Sequence, residues 1–308
     1  MPESPRIVQV AVPTPLMHPF DYRIPAALPM PAPGVRVRVP FGRRQAVGIV
    51  LGRVAQTEIA GDKLKSVLAV LDDEPILPPA LLELIQWAAG YYHHPIGDVI
   101  QTALPVLLRR GDPAEVAGEK YYALNAAAEA ITPESFKRSP LQRRVFEALR
   151  ENPAGLNAAA LSAIAENWRA PLKRLEARGL LTTREEPCLP ARAMAGLSAP
   201  ALSEAQQTAV TAINTAAGAF SCQLLHGVTG SGKTEVYLRA IEAAIARGGQ
   251  VLVLVPEIGL TPQLLARFTG RIAAPIAVLH SALNDSERLC AWQTARLGEA
   301  AVVIGTRS

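Results

Sequence analysis

A glycine-rich octapeptide between an apolar run and an amphipathic stretch constrains the fold of this chain more than any other feature. The octapeptide, residues 227–234, reads G-x-x-x-x-G-K-[ST] in full. It follows the apolar run 222–226, which predicts a buried strand, and precedes residues 235–246, which predict a helix. A loop between a strand and a helix with these glycines surrounds nucleotide phosphates with its backbone N–H groups. The sequence therefore predicts a phosphate-binding loop in an α/β domain.

The residues of this loop are expected to bind different parts of a nucleoside triphosphate and its metal ion. The Lys233 ammonium would neutralise phosphate charge, and the Thr234 hydroxyl would ligate Mg²⁺. The other members would contribute mainly backbone N–H groups: Gly227, Val228, Thr229, Gly230, Ser231 and Gly232. The structural alternative is a glycine-rich turn with an incidental lysine.

Further polar residues around the loop have two interpretations each. Gln206 lies about twenty residues upstream, where its amide could bond adenine, but the same pattern is typical of a helix start with Ser203 as N-cap. Thr261, Thr306 and Arg307 follow predicted strands, at the edge of a parallel sheet that faces ligands. They could contact a sugar-phosphate backbone, or serve as helix caps.

The region after residue 234 keeps alternating apolar runs with amphipathic stretches. Strands are predicted at 250–255, 276–280 and 301–304, and helices near 261–271 and 285–296. Continuous apolar strands separated by helices are typical of a parallel sheet that is buried on both faces.

The first hundred residues indicate a different, β-rich domain. Residues 35–51 alternate apolar and polar positions with a break at 40–42, which predicts a hairpin, and residues 79–92 predict a helix. Frequent prolines before residue 34 favour a small barrel with extended connections. The polar face of the hairpin carries a basic group that could meet DNA: Arg36, Arg38, Arg43 and Arg44.

The middle of the chain predicts a small helical domain between two linkers, at 109–118 and 187–200. Helices are predicted near 140–151, 156–166 and 168–178, followed by a strand at 179–185, an order that suggests a winged helix. The third helix, in the recognition position, carries Arg169, Lys173, Arg174 and Arg178. These charges are either a DNA contact or a solvated helix face.

Composition limits the remaining classes of function. The 308 residues carry a net charge of +4 that is spread along the chain, so a nucleic-acid surface has to be a local patch. We expect a cytoplasmic protein without membrane contact, because the N-terminus lacks the pattern of a signal peptide and no apolar run could span a bilayer. The three cysteines lack C-x-x-C spacing, so we expect no metal site within the chain.

Taken in order and spacing, the motifs resemble a known family. Residues 227–234, 255–263, 279–288 and 304–307 resemble the first RecA-like lobe of the PriA (primosomal protein N′) family of superfamily 2 DNA helicases. Residues 13–22, 36–42 and 91–98 resemble that family's DNA-binding domain, which holds the 3′ end of a nascent strand. The resemblance covers nearly the whole chain and is weakest in the winged-helix region.

The resemblance implies a division into residues 1–108 as a 3′-end DNA-binding domain, 109–186 as a winged helix, 187–200 as a linker and 201–308 as an incomplete RecA-like lobe. It implies a pocket for the 3′-terminal nucleotide formed by Phe20, Asp21, Gly42 and Lys65. A Phe ring stacks on a base, a carboxylate accepts from the 3′-hydroxyl and a Lys meets phosphate. Without the family, Phe20 would be interpreted as core and Asp21 as a turn residue.

The implied activity is that of an ATP-dependent 3′→5′ helicase, with ATP and Mg²⁺ as cofactors, that restarts replication at stalled or branched forks. Its implied partners are branched and single-stranded DNA, including D-loops, single-stranded-DNA-binding protein and other primosome proteins. The family continues with an Asp-Glu-x-His segment, a zinc-binding insertion and a second lobe with an arginine finger, which are absent up to Ser308. We therefore expect a fragment that binds DNA, and ATP at most weakly, without efficient hydrolysis or unwinding. The alternatives are a truncated non-motor module that binds forks and 3′ ends, and a kinase-like phosphotransferase.

Overall fold

The computed structural model describes residues 6–114, 118–137, 139–186, 198–256 and 261–306. The chain divides into two units. One contains residues 1–116, 202–268 and 276–308, and the other contains residues 117–201 and 269–275. Each unit is described below by itself.

The first unit begins with an antiparallel sheet in the strand order β2-β1-β4-β3-β5. Its strands are β1 (Ile7–Ala11), β2 (Phe20–Arg23), β3 (Arg36–Phe41), β4 (Arg44–Val54) and β5 (Ala69–Val70). The predicted hairpin is confirmed: β3 and β4 pair from Arg36↔Ile49 to Phe41↔Arg44. Gly42 makes the turn with φ +59°, a left-handed conformation that favours glycine.

The two edges of this sheet approach each other through the segment 65–68. The Arg23 N–H donates to Lys65 O (2.9 Å) and the Val67 N–H donates to Arg23 O (2.9 Å), while the Leu68 N–H donates to Arg38 O (2.8 Å). One segment therefore bonds to both β2 and β3, and the sheet curls around a core rich in buried valines. A complete barrel stays a prediction.

Three helices cover a second apolar core beside the sheet. They are α1 (Pro79–Tyr91), α2 (Ile96–Ala103) and α3 (Val106–Arg110). The structure confirms the predicted helix at 79–92, but α2 and α3 were not predicted, and α3 extends into the predicted linker 109–118. Gly97 lets α2 approach the sheet, because a Cβ there would lie 1.9 Å from Val12 O. The core includes Leu77, Leu82, Ile85, Ile100 and Leu108.

The same unit contains the α/β region. Its elements are α7 (Glu204–Thr215), α8 (Lys233–Ala246), β8 (Val251–Val255), α9 (Pro262–Arg271), β9 (Ile276–Leu279), α10 (Asp285–Arg296) and β10 (Val302–Thr306), with α9 crossing into the second unit. The predicted parallel sheet is confirmed for three strands, in the order β8-β10-β9. The central strand is buried at Val302 and Ile304, as expected for a sheet covered on both faces.

The strand predicted at 222–226 is wrong. Residues 220–228 form no strand, and Phe220 and Leu224 are 97% and 91% exposed. An apolar run becomes a strand only where a sheet edge offers hydrogen bonds. Among the described residues no backbone bond joins this run to the three-stranded sheet, whose edge strand β8 leaves Leu252 and Leu254 exposed.

Helix α10 ties the α/β region to the N-terminal part of the same unit. The Trp292 indole N–H donates to Ala103 O (3.1 Å), and the Arg296 guanidinium donates to Pro75 O (3.3 Å). Leu289 is buried in the core that α1 to α3 cover. Apolar packing and hydrogen bonds from one helix thus join the two parts.

The second unit consists of a two-stranded sheet and three helices. Its strands β6 (Glu119–Leu124) and β7 (Leu181–Glu186) pair antiparallel, and its helices are α4 (Pro140–Glu151), α5 (Ala158–Ile164) and α6 (Arg169–Ala177). The three predicted helices and the strand β7 are confirmed, whereas β6 was not predicted. The assignment as a winged helix stays a prediction. The core is formed by residues that include Phe146, Leu149, Leu161, Trp168 and Leu175.

The described residues contain neither a helix suited to a membrane nor a cluster of side chains suited to a metal ion. None of the helices there is long and apolar enough to cross a membrane. Within the same residues, no group of three or more His, Cys, Asp or Glu side chains is placed to hold a metal ion.

Candidate functional sites

The first candidate site surrounds β2, where side chains from distant strands meet. The Phe20 and Phe41 rings pack edge to face, with centroids 5.2 Å apart and an angle of 72° between the planes. The Tyr22 hydroxyl donates to Pro40 O (3.2 Å). Since β2 and β3 are not neighbours in the sheet, these contacts depend on its curl. They hold the turn at Gly42 close to Phe20.

The other two predicted pocket residues flank the same strand. Asp21 follows Phe20 in β2 and lies opposite Gln9 of β1. Lys65 accepts the backbone bond of Arg23 and exposes its side chain. The structure thus places Phe20, Asp21, Gly42 and Lys65 on β2, on the adjacent turn and on the segment bonded to β2. Their roles toward DNA stay predictions.

Phe20 and Gly42 each leave room for a ligand. Phe20 is half-buried, so it serves the core on one side and is accessible on the other. A Cβ at Gly42 would meet no atom within 4 Å, so the space in front of this turn is open. Phe41 and Tyr22 were missed by the sequence analysis, because only the curl of the sheet brings them to β2.

The predicted DNA contact of Arg36 is wrong. Its side chain is fully buried and forms an ion pair with Asp72, at 2.7 Å from Nη2 to Oδ1. Its Nη1 donates to Leu108 O (2.8 Å) and Asp112 O (2.9 Å). Arg36 therefore connects the sheet to α3. The alternation of the hairpin places it on a polar face, but helix α3 covers that face.

The other three arginines of the hairpin differ in exposure. Arg43 and Arg44 are exposed at the turn and the start of β4. Arg38 is half-buried and lies against Gly111, where a Cβ would be 2.6 Å from its Nη2. Arg43 and Arg44 are therefore the better placed of the three to meet a phosphate.

The second candidate site is the loop at the N-terminus of α8. Gly230 and Gly232 have φ values of +84° and +81°, and Gly232 is the N-cap of the helix. The Lys233 ammonium donates to Gly227 O and to Val228 O, the latter at 2.9 Å. The lysine thus bonds to carbonyl groups of its own loop. The loop has the turns of a phosphate-binding loop, in a closed arrangement.

Gln206 contacts this loop from α7. Its Oε1 accepts from the Ser203 N–H (2.9 Å) and the Ser203 hydroxyl accepts from the Gln206 N–H (3.3 Å), so the two form a capping box. Its Nε2 donates to Ser231 O (3.1 Å). The two interpretations of Gln206 are compatible, because the residue caps α7 and also touches the loop.

The remaining predicted contacts have separate outcomes. The Thr261 hydroxyl accepts from the Leu264 N–H (3.2 Å), as in a helix cap. Arg307 lies outside the described residues. The role of Thr306 toward DNA stays a prediction.

These residues fit a nucleoside triphosphate with Mg²⁺. The N-terminus of α8 presents N–H groups to an anion, and an ammonium group already lies beside the loop carbonyls. Thr234 is the first residue after Lys233 and would supply the hydroxyl for the metal. When bound, the nucleotide would supply the energy of phosphoryl transfer, while Lys233 and the backbone of the loop would hold its phosphates.

Comparison with known proteins relates this chain to one family. Residues 9–105 match the family model of the 3′DNA-binding domain (3′BD) of PriA, and residues 203–308 match that of DEAD/DEAH box helicases. The replication restart protein PriA of Haemophilus influenzae is 39% identical over 98% of this chain. The chain belongs to the PriA family. The PriA proteins of Bacillus subtilis (28% identical over 94% of this chain) and Treponema pallidum (53% over 35%) are also similar.

The chain spans only part of these relatives. It covers 42% of the Haemophilus PriA and 45% of the Bacillus PriA. The family assignment confirms the resemblance given by the motifs, and with it a DNA-binding domain followed by a helicase-type domain. The use of ATP and Mg²⁺ follows from the helicase family.

Proposed function

We propose that residues up to about 108 bind the 3′-terminal nucleotide of a DNA strand. The observation that carries this proposal is the packing of Phe20 against Phe41 next to the open turn at Gly42, with Asp21 as the next residue of β2. An aromatic face accepts the terminal base by stacking, and the Asp21 carboxylate accepts a hydrogen bond from the 3′-hydroxyl. Lys65, Arg43 and Arg44 surround the site with positive charge for the backbone phosphates.

The discrimination between a 3′-hydroxyl and a 3′-phosphate follows from charge. A hydroxyl donates to the Asp21 carboxylate, whereas a phosphate places a second anion against it. Oligonucleotides that differ only in this end group test the proposal by fluorescence anisotropy. Tighter binding of the hydroxyl form supports it, and equal binding contradicts it.

We further propose that the complete protein is an ATP-dependent 3′→5′ helicase that recognises stalled or branched forks and initiates replication restart. The support is the joint match to a 3′DNA-binding domain and a helicase domain, with an intact loop at 227–234. Single-stranded-DNA-binding protein and other primosome proteins are the partners that this role requires. Strand displacement on a forked substrate, with and without ATP, tests it.

For the 308-residue chain itself we propose weak nucleotide binding without efficient hydrolysis. The apolar run before the loop is exposed, and Lys233 is held by loop carbonyls that a phosphate would have to displace. Binding of ATP must therefore break the bonds that Lys233 makes to these carbonyls, which reduces its affinity. Calorimetric titration measures the affinity. Fork-stimulated ATPase near that of a full-length relative would contradict the proposal and exclude the alternative of a non-motor module.

A further inference from the structure

The loop between β1 and β2, residues 12–19, exposes two large apolar side chains to solvent. Leu16 is 54% exposed and Met17 is 50% exposed. Among the residues that the structure describes, neither belongs to an apolar core. These two residues, called here the apolar tip, therefore present an apolar surface directly before β2.

The base of this loop is held in place. Thr14 is buried, and its hydroxyl accepts a hydrogen bond from the Leu16 N–H (3.1 Å). Val12 is also buried, and its carbonyl lies against Gly97 of α2. Three prolines of the loop restrict the backbone further, because the proline ring fixes φ. The apolar tip is therefore carried on a stiff turn.

The apolar tip is close to the 3′-end site. Leu16 and Met17 precede Phe20 by four and three residues, so even an extended chain keeps their Cα atoms within about 14 Å of Phe20. Successive bases of a strand are about 3.4 Å apart along a DNA helix. The tip can therefore reach the first base pairs behind a nucleotide that is held on Phe20.

Stacking of a terminal base on Phe20 has a consequence for a 3′ end that is paired to a template. The base has to leave the duplex stack to reach a protein side chain, and its unpairing and unstacking cost free energy. Proteins that open base steps insert apolar side chains such as Leu and Met against the exposed bases. The inserted side chain replaces part of the lost stacking and leaves water in the same step.

We propose that the apolar tip packs against the base pair behind a recessed DNA 3′ end and stabilises the state in which the terminal base has moved to Phe20. This inference rests on the proposed function, because it requires a 3′-terminal base at Phe20. It adds a class of substrate, namely 3′ ends that are paired to a template. A single-stranded end would use the same site without the tip, since it has no base pair to open.

The test uses the full chain and two DNA ligands with the same 3′ sequence, a single strand and a duplex with a recessed 3′ end. The duplex carries 2-aminopurine in the template opposite the terminal nucleotide, where loss of stacking raises its fluorescence. The test variant is Leu16→Ser/Met17→Ser. The control is Leu84→Ser/Leu297→Ser, which removes two apolar side chains of similar exposure from α1 and from the end of α10.

For the wild type we expect a rise in fluorescence when the recessed duplex is saturated with protein. The test variant should lose most of this rise and bind the recessed duplex about tenfold more weakly, because two half-exposed apolar side chains no longer leave water. Its affinity for the single strand should be unchanged. The control should behave like the wild type, and so should the exchange variant Leu16→Met/Met17→Leu, which keeps an apolar tip.

Absence of a fluorescence rise in the wild type, or an equal rise and equal affinity in the test variant, would overturn the proposal. Equal losses in the control, or equal losses on both ligands, would also overturn it, since the tip would then have no specific role at a paired end. If thermal melting shows that the test variant is unfolded, Leu16→Ala/Met17→Ala provides the test.

The proposed function is tested separately in the wild type. Equal affinities for single strands that end in a 3′-hydroxyl or a 3′-phosphate would contradict the proposed function, and this inference with it. Where the preference for the hydroxyl is intact, the outcomes with the recessed duplex decide on the apolar tip alone.

Discussion

The burial of Arg36 leads to a prediction that separates a structural role from a DNA contact. Replacing Arg36 with Met removes the partner of Asp72, whose side chain is 5% exposed, and leaves Leu108 O and Asp112 O without their donor. A methionine fills much of the same space, so the change is chiefly electrostatic. The carboxylate then remains buried without a counter-charge, and its donor at this position is only the backbone N–H of residue 36.

The magnitude follows from the environment of the pair. Removing one partner of a buried ion pair typically destabilises a protein by about 3–5 kcal/mol. This is a large fraction of the roughly 5–15 kcal/mol that holds a domain folded. We therefore expect Arg36→Met to lower the free energy of unfolding by about 3 kcal/mol or more, and Arg44→Met, at an exposed position, to change it by less than about 0.5 kcal/mol.

Urea unfolding followed by circular dichroism measures both variants. A double variant, Arg36→Met/Asp72→Asn, should lose less than the sum of the single losses, because the residues interact directly. If Arg36→Met unfolds at the wild-type urea concentration and yet loses DNA binding, Arg36 is a DNA contact. The structural role of Arg36, as the buried residue that connects the sheet to α3, is then refuted.

Two further predictions concern the 3′-end site. Asparagine tolerates the left-handed backbone of Gly42, so Gly42→Asn should keep the fold but weaken binding of 3′-ended DNA by about tenfold. The control Gly298→Asn, at φ +75° with equally open space, should leave DNA binding unchanged. Equal affinities of the two variants in an anisotropy titration would contradict a ligand site at Gly42. Burial raises the pKa of Tyr22 from 10.0 to about 12, so this tyrosine ionises at a lower pH in the unfolded chain than in the folded protein. The free energy of unfolding is therefore unaffected by Tyr22 below pH 10 and falls by about 2–3 kcal/mol as the pH rises to 12. Tyr22→Phe should lack this pH-dependent loss of stability. If the unfolding free energies of the two proteins differ by a constant amount from pH 9 to 11.5, Tyr22 does not cause the loss.

Elements with strong local signals could be predicted from the sequence. The bounds of α10 match the prediction at both ends, since Asn284 and Glu287 form a capping box at its start. The hairpin was predicted because its period of two is interrupted at Pro40 and Gly42. Local chemistry determines these elements almost completely.

Features that depend on distant parts of the chain could not be predicted. The alternation that puts Arg38 on the polar face of the hairpin also indicated exposure for Arg36, because the sequence does not reveal that α3 covers one end of β3. The run at 222–226 is apolar enough for a strand, but strand formation depends on a neighbouring edge. Phe41 joins Phe20 only through the curl of the sheet.

We propose that this member of the PriA family recognises a DNA 3′ end through Asp21. The most direct measurement is the ratio of affinities for two oligonucleotides that end in a 3′-hydroxyl or a 3′-phosphate, in wild type, Asp21→Asn and the matched control Glu83→Gln. A hydrogen bond to a charged group predicts a preference of about tenfold or more for the hydroxyl in wild type and control, reduced to near one in Asp21→Asn. A wild-type ratio near one, or an unchanged ratio in Asp21→Asn, would contradict the account.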